Sequence, residues 1–258
     1  MGALIRIYTL AGNTLREVIR NRILYVLLCF AIVLIATGVV LSALSYVEQE
    51  RILQDVGLGS IRLFGTVIAI FLGVGVLHKE VDRRTIYTIL SKPISRSEFV
   101  LGKYLGLTAT IWLQLLIMSA AFALISWLAH APLGTGHAAA LLLSGLEMSL
   151  MVAVATLFSA FTTPMLASFF TAGIWVVGHL TRDLRQLASH SDVSAVRELA
   201  VWIHRLLPDL ESFNVSIQAV HGLPIEGSEV TLPIAYGIGY ASLVLILAIV
   251  LFERRDFR

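Results

Sequence analysis

Glu147 is the first residue whose position asks for a chemical explanation. It lies within residues 138–161, a run otherwise built almost entirely of aliphatic and small side chains. A charged side chain at the centre of a spanning helix costs about 2.5–3.5 kcal/mol on insertion scales, so such a residue is by default functional or tightly partnered. Four readings are open for it: a group facing a polar translocation path, one half of a pair with another helix, a protonated hydrogen-bonding residue, or a surface group exposed by a shifted span. Catalysis needs more than a lone acid. Ser144 and Ser168 have no partner pattern that would activate a hydroxyl, and the spans hold no aspartate pair. His78, His130, His137 and His179 fall at or near the ends of apolar runs without H-E-x-x-H spacing, and they read as interfacial anchors rather than metal ligands. Gly102-Lys103-Tyr104 lacks the preceding glycine and the hydroxyl of a phosphate-binding loop. Cys29 is the single cysteine, so it forms no internal disulfide and reads as a small buried or lipid-facing side chain.

The second chemistry-bearing stretch is residues 79–103, where charges of both signs are dense. Glu80 and Asp82 precede Arg83 and Arg84, then Ile86, Ile89 and Leu90 form a short apolar face. Pro93 breaks that helix, and Ser95-x-x-Glu98 has the spacing of a capping box that opens the next one. The residues alone leave two readings. The segment is either a solvated loop that enforces topology or a docking surface for a soluble partner. The basic residues are too few, and too closely tied to the membrane-facing segments, for a nucleic-acid site.

The elements that position these residues follow from hydropathy. The 258 residues are 57% hydrophobic and 14% charged, against about 25% charged in a soluble domain. Six runs approach the roughly 20 apolar residues needed to span a bilayer: 23–44, 63–77, 105–129, 138–161, 165–180 and 232–252. The expected fold is an all-α membrane protein of six transmembrane helices in one domain over residues 1–258. No cleavable signal is expected, because the first run is long and lacks a small-residue cleavage site. Gly73, Gly75, Gly173, Gly178, Gly237 and Gly239 lie in or beside the runs and suit close helix packing.

Arginine and lysine set the orientation. With the N-terminus inside, the inner side receives thirteen of them and the outer side six: Arg51, Arg62, Arg182, Arg185, Arg197 and Arg205. Both termini are therefore expected in the cytoplasm. Ahead of the first span, Leu4, Ile5, Tyr8, Ala11, Leu15 and Ile19 recur at helical spacing, which predicts an interfacial helix on the inner leaflet, the alternative being a soluble extension of the span. The outer stretch 182–230 carries an apolar face at Val193, Val196, Leu199, Ala200, Ile203 and Leu207, with Asp192 as N-cap and Pro208 as terminator. A second short helix is expected over 209–220. The two would form an outer-surface helical hairpin between spans five and six, or else a lid or re-entrant hairpin.

The 79–103 stretch resembles the signature of ABC-2 family ABC-transporter permeases. The matching residues are Glu80-x-Asp82-Arg83-Arg84-Thr85-Ile86-Tyr87, then Leu90-Ser91-Lys92-Pro93-Ile94-Ser95-Arg96, then Leu101-Gly102-Lys103. Residues 13–22, 162–167 and 252–257 also resemble that family's N-terminal helix, its tight turn between spans four and five, and its charged ending. Asp82 and Arg84-Thr85 stand where many members have Glu and Gly-Thr, which is similar to the nitrous-oxide-reductase maturation branch. The resemblance implies a permease subunit of an ATP-driven transporter in the cell membrane, the alternatives being a membrane scaffold remodelled by an ATPase or an ATP-independent channel or secondary transporter. It implies that Glu80, Asp82, Arg83, Arg84, Thr85, Tyr87, Lys92, Pro93, Ser95 and Arg96 couple the chain to ATPase partners. It further implies two ATPase subunits, which would bind the ATP and magnesium, and a second permease subunit, either identical or a paralogue. This chain itself would hold no cofactor.

Overall fold

The computed structural model describes residues 2–45, 47–82, 95–189 and 206–254, with positions 198 and 202. The described residues form helices and turns and no strand. Helix α1 is Ala3–Ile19, α2 is Arg22–Ser42, α3 is Gln49–Asp82 and α4 is Arg96–Leu128. Helix α5 is Thr135–Phe161 and α6 is Pro164–Ser189. A 3₁₀ turn at Leu210–Phe213, short helix α7 at Ser216–Val220 and α8 at Gly227–Glu253 follow. Six of these helices, α2 to α6 and α8, are long and apolar enough to cross a membrane. Their outward faces carry large apolar side chains, among them Tyr25, Phe30, Leu116, Phe169 and Ile246. Water would not tolerate so much exposed apolar surface, and a bilayer requires it.

Helix α5 is the hub. Residues 147–156 are buried on every side, so this helix is apolar all round because it is surrounded by protein. Helices α3 and α8 pack most extensively against it. Helix α3 achieves its close approach to α5 through Gly65 and Gly73, where a Cβ would collide with Met148 and Ala155, and packs on α4 at Gly57, where a Cβ would collide with the Phe122 ring. Without a hydrophobic drive inside lipid, such close backbone approach is a principal source of association. Of the glycines singled out from the sequence, Gly73 serves in this way, Gly178 and Gly237 make room for Leu210 and Phe213 of the 3₁₀ turn, and Gly75, Gly173 and Gly239 face open space.

The second span departs from expectation. It covers Gln49–Gly75, beginning well before residue 63. Polar side chains at Arg51, Gln54 and Arg62 lower the local hydropathy, but each has a partner. Arg51 pairs with Glu48 at 2.8 Å and Gln54 donates to the Pro132 carbonyl at 3.0 Å. Leu53, Leu58 and Ile61 meanwhile face the core. Arg62 therefore sits inside a span rather than in an outer loop.

The expected capping box is present. Ser95 Oγ accepts from the Glu98 amide at 3.2 Å, and the Ser95 amide donates to Glu98 Oε2 at 3.1 Å. At the other end of α4, His130 takes a left-handed conformation (φ 57°). The His130 amide donates to the Trp127 carbonyl and the Ala131 amide to the Ser126 carbonyl, which closes the helix as a Schellman motif. The expected helix over 209–220 is split into the 3₁₀ turn and α7, because Asn214 bonds backward to Glu211 and forward to the Ser216 amide. The apolar face expected over 193–207, with its Asp192 cap, lies outside the described residues apart from isolated positions.

Candidate functional site

Two polar constellations stand out against the apolar scaffold. The first is built around Glu147, which is fully buried. It lies about 18 Å along α5 from Thr135, by the 1.5 Å rise per residue. Arg62 of α3 donates through Nε to Glu147 Oε2 at 2.8 Å. Trp175 of α6 donates its indole N–H to Glu147 Oε1 at 3.3 Å. One helical turn on, His179 shares the face of Trp175, with the two rings edge to face at 5.2 Å. His179 Nδ1 lies 2.9 Å from the Trp175 carbonyl and Nε2 lies 2.8 Å from Arg62 Nη2. A carbonyl only accepts and a guanidinium only donates, so the tautomer with hydrogen on Nδ1 satisfies both contacts. Arg62 Nη2 also reaches the Leu210 carbonyl at 3.4 Å.

This node ties α3, α5, α6 and the 3₁₀ turn together. It pairs one carboxylate with one guanidinium and contains no activated nucleophile. Of the readings open for Glu147, the structure displays the inter-helix pair. The sequence had assigned Arg62 to the outer-side charges and His179 to an interfacial anchor; the structure corrects both, since each contacts a core residue. The available signal was the helical recurrence of Leu53, Leu58 and Ile61 upstream of Arg62, together with the need of a buried acid for a cation.

The second constellation gathers where α1, α4 and α8 meet. Arg6 Nε donates to Glu98 Oε2 at 3.0 Å, and Nη2 reaches the other carboxylate oxygen. This bidentate bond raises the Arg6 pKa further above its ordinary value. Lys103, almost wholly buried, stands 3.7 Å from Glu17 of α1. Arg96 donates to the Phe252 and Glu253 carbonyls at 3.2 and 2.9 Å, satisfying acceptors that the end of α8 would leave open. Phe99 stacks on Phe252 at 5.9 Å. Helix α1 approaches α4 over Gly102 and Gly106, where an added Cβ at Gly106 would stand 2.6 Å from the Ala11 carbonyl oxygen. The spacing Gly102-x-x-x-Gly106 is a small-xxx-small motif that the sequence reading passed over. Leu4, Ile5 and Tyr8 stay exposed on the opposite part of α1, as an interfacial helix requires.

Among the residues expected to couple to a partner, Ser95 and Arg96 belong to this junction. Glu80 and Asp82 occupy the last turn of α3. Arg83, Arg84, Thr85, Tyr87, Lys92 and Pro93 lie outside the described residues. The end of α3 and the start of α4 flank them in the chain. No cluster of metal-ligating side chains occurs among the described residues.

A family model described as ABC-2 family transporter protein matches residues 8–257. The chain belongs to the ABC-2 transporter family. Comparison with curated proteins gave no match. The six spanning helices of this ABC-2 chain, and the match over nearly its whole length, agree with a membrane component that works with ATPase subunits.

Proposed function

We propose that this ABC-2 protein is the permease subunit of an ATP-driven transporter and forms half of a translocation unit with a second permease subunit. The observation that carries the reading is the family match across residues 8–257. A separate ATPase supplies ATP and magnesium chemistry and docks on residues 79–103. The junction of α1, α4 and α8 supports this assignment. It anchors the first turn of α4 by Arg6–Glu98 and by Arg96 on the end of α8, so a push on the preceding segment would pass into three helices. Among the described residues, Arg6, Arg16, Arg20, Arg22, Lys79, Arg96, Lys103 and Arg254 lie at this end of the bundle, against Arg51, Arg182 and Arg185 at the other. Moving Arg62 into the membrane sharpens the bias, which supports a topology with both termini in the cytoplasm. Glu147 acts on the path by latching α3 and α6 to the hub α5. Asp82 and Arg84-Thr85 keep the maturation branch of the family as the proposed subgroup.

The test is affinity purification from native membranes with partner stoichiometry measured by mass spectrometry. An ATPase recovered in equal copy number, and lost when Glu80, Asp82 and Arg84 are substituted while membrane insertion persists, supports the reading. Repeated recovery without an ATPase in gentle detergent overturns it in favour of an ATP-independent channel or carrier.

A further inference from the structure

We propose that the corner between α1 and α2 is a binding site for the phosphate headgroup of an anionic phospholipid. A cavity of about 470 Å³ opens there, lined by Glu17, Arg20, Asn21, Arg22 and, from α3, Phe71, Leu72 and Gly75. Its chemistry is divided. One wall is cationic: Arg20 and Arg22 are exposed, and neither has an ion-pair partner among the described residues. The other wall is the exposed, apolar Phe71 beside Leu72. Glu17, the one carboxylate in the lining, is directed to Lys103 at 3.7 Å, so its charge is offset from within the protein. Arg22 opens the 21-residue helix α2, whose positive dipole end adds to the field. A soluble anion would use the cationic wall alone. A phospholipid uses both, with its phosphate on the arginines and its acyl chain along Phe71 and the exposed lipid-facing side of α2. The corner also sits at the end of the bundle where the basic residues gather, the membrane surface on which anionic lipid attracts such groups.

The site does not depend on the transport reading, and its test has its own readout. The purified full chain is titrated in detergent with phosphatidylglycerol, with phosphatidylcholine and with inorganic phosphate, and bound lipid is counted by native mass spectrometry. The expected result is selective retention of phosphatidylglycerol. Arg20→Gln with Arg22→Gln should weaken it about thirtyfold, the equivalent of about 1 kcal/mol for each arginine. Gly75→Leu keeps both arginines, and its side chain would enter open space, since nothing lies within 4 Å of a Cβ there. It should abolish retention by filling the cavity. Arg16→Gln removes a nearby exposed charge that does not line the cavity and should leave binding within twofold. Equal retention of the two lipids overturns the proposal. So does a loss in Arg16→Gln as large as in the double variant, because that would mark general surface charge. Displacement of phosphatidylglycerol by inorganic phosphate at comparable concentration would assign the site to a soluble anion instead.

Discussion

Replacing Glu147 with leucine tests whether the buried node is a true pair. In the native fold Glu147 is fully buried and the Arg62 side chain is 13% exposed. Removing the acid leaves the guanidinium in the membrane interior with only His179 and the Leu210 carbonyl as acceptors. Breaking a buried pair from one side typically destabilises by about 3–5 kcal/mol. The remaining acceptors place this case near the lower bound, about 3 kcal/mol. At roughly 2–4 °C per kcal/mol for a chain of this size, the thermal midpoint should fall by about 6–12 °C. Arg62→Met should cost a similar amount, because it strands the carboxylate. The double variant strands no formal charge. Its remaining penalty is the unpartnered indole N–H of Trp175 and the lost donor to His179 Nε2, about 1–2 kcal/mol. The double variant should therefore be more stable than either single one, with a coupling energy of about 4–5 kcal/mol. The assay is a double-mutant cycle on purified protein, with unfolding followed by tryptophan fluorescence. Additivity of the two single losses within about 0.5 kcal/mol would refute the pairing.

Further expectations follow from single contacts. Trp175→Phe removes one long hydrogen bond to Glu147 and should cost about 1 kcal/mol in the same unfolding assay. Gly106→Leu would drive a side chain into the Ala11 backbone; α1 should detach and become sensitive to limited proteolysis, whereas Gly173→Leu, in open space, should not change the pattern. His130→Gly relieves the left-handed conformation at the end of α4 and should raise stability by about 1 kcal/mol. In a Cys29→Ser background, His221→Cys should react with a membrane-impermeant maleimide from outside intact cells, and Arg16→Cys only after permeabilisation; the reverse pattern would invert the proposed topology.

The membrane, the number of spans and the capped start of α4 were legible in the sequence. Those properties rest on composition and on short-range spacing. An apolar run of spanning length has few alternatives, and Ser95-x-x-Glu98 makes its cap from atoms three residues apart. The costly Glu147 was visible in the same way, because burial of a carboxylate can be read from its neighbours in the chain. Its partner was not. Arg62 lies 85 residues away, and its own surroundings read as the edge of a loop, because hydropathy averages a charge with its neighbours and cannot know that another helix neutralises it. His179 was obscured likewise, its role set by one side of α6 meeting α3 and α5. The tertiary structure also decided the clamp of α1 on α4, for which Arg6 and Glu98 are 92 residues apart. Gly102 and Gly106 are small in any context, but only the approach of a second backbone gives that smallness a use.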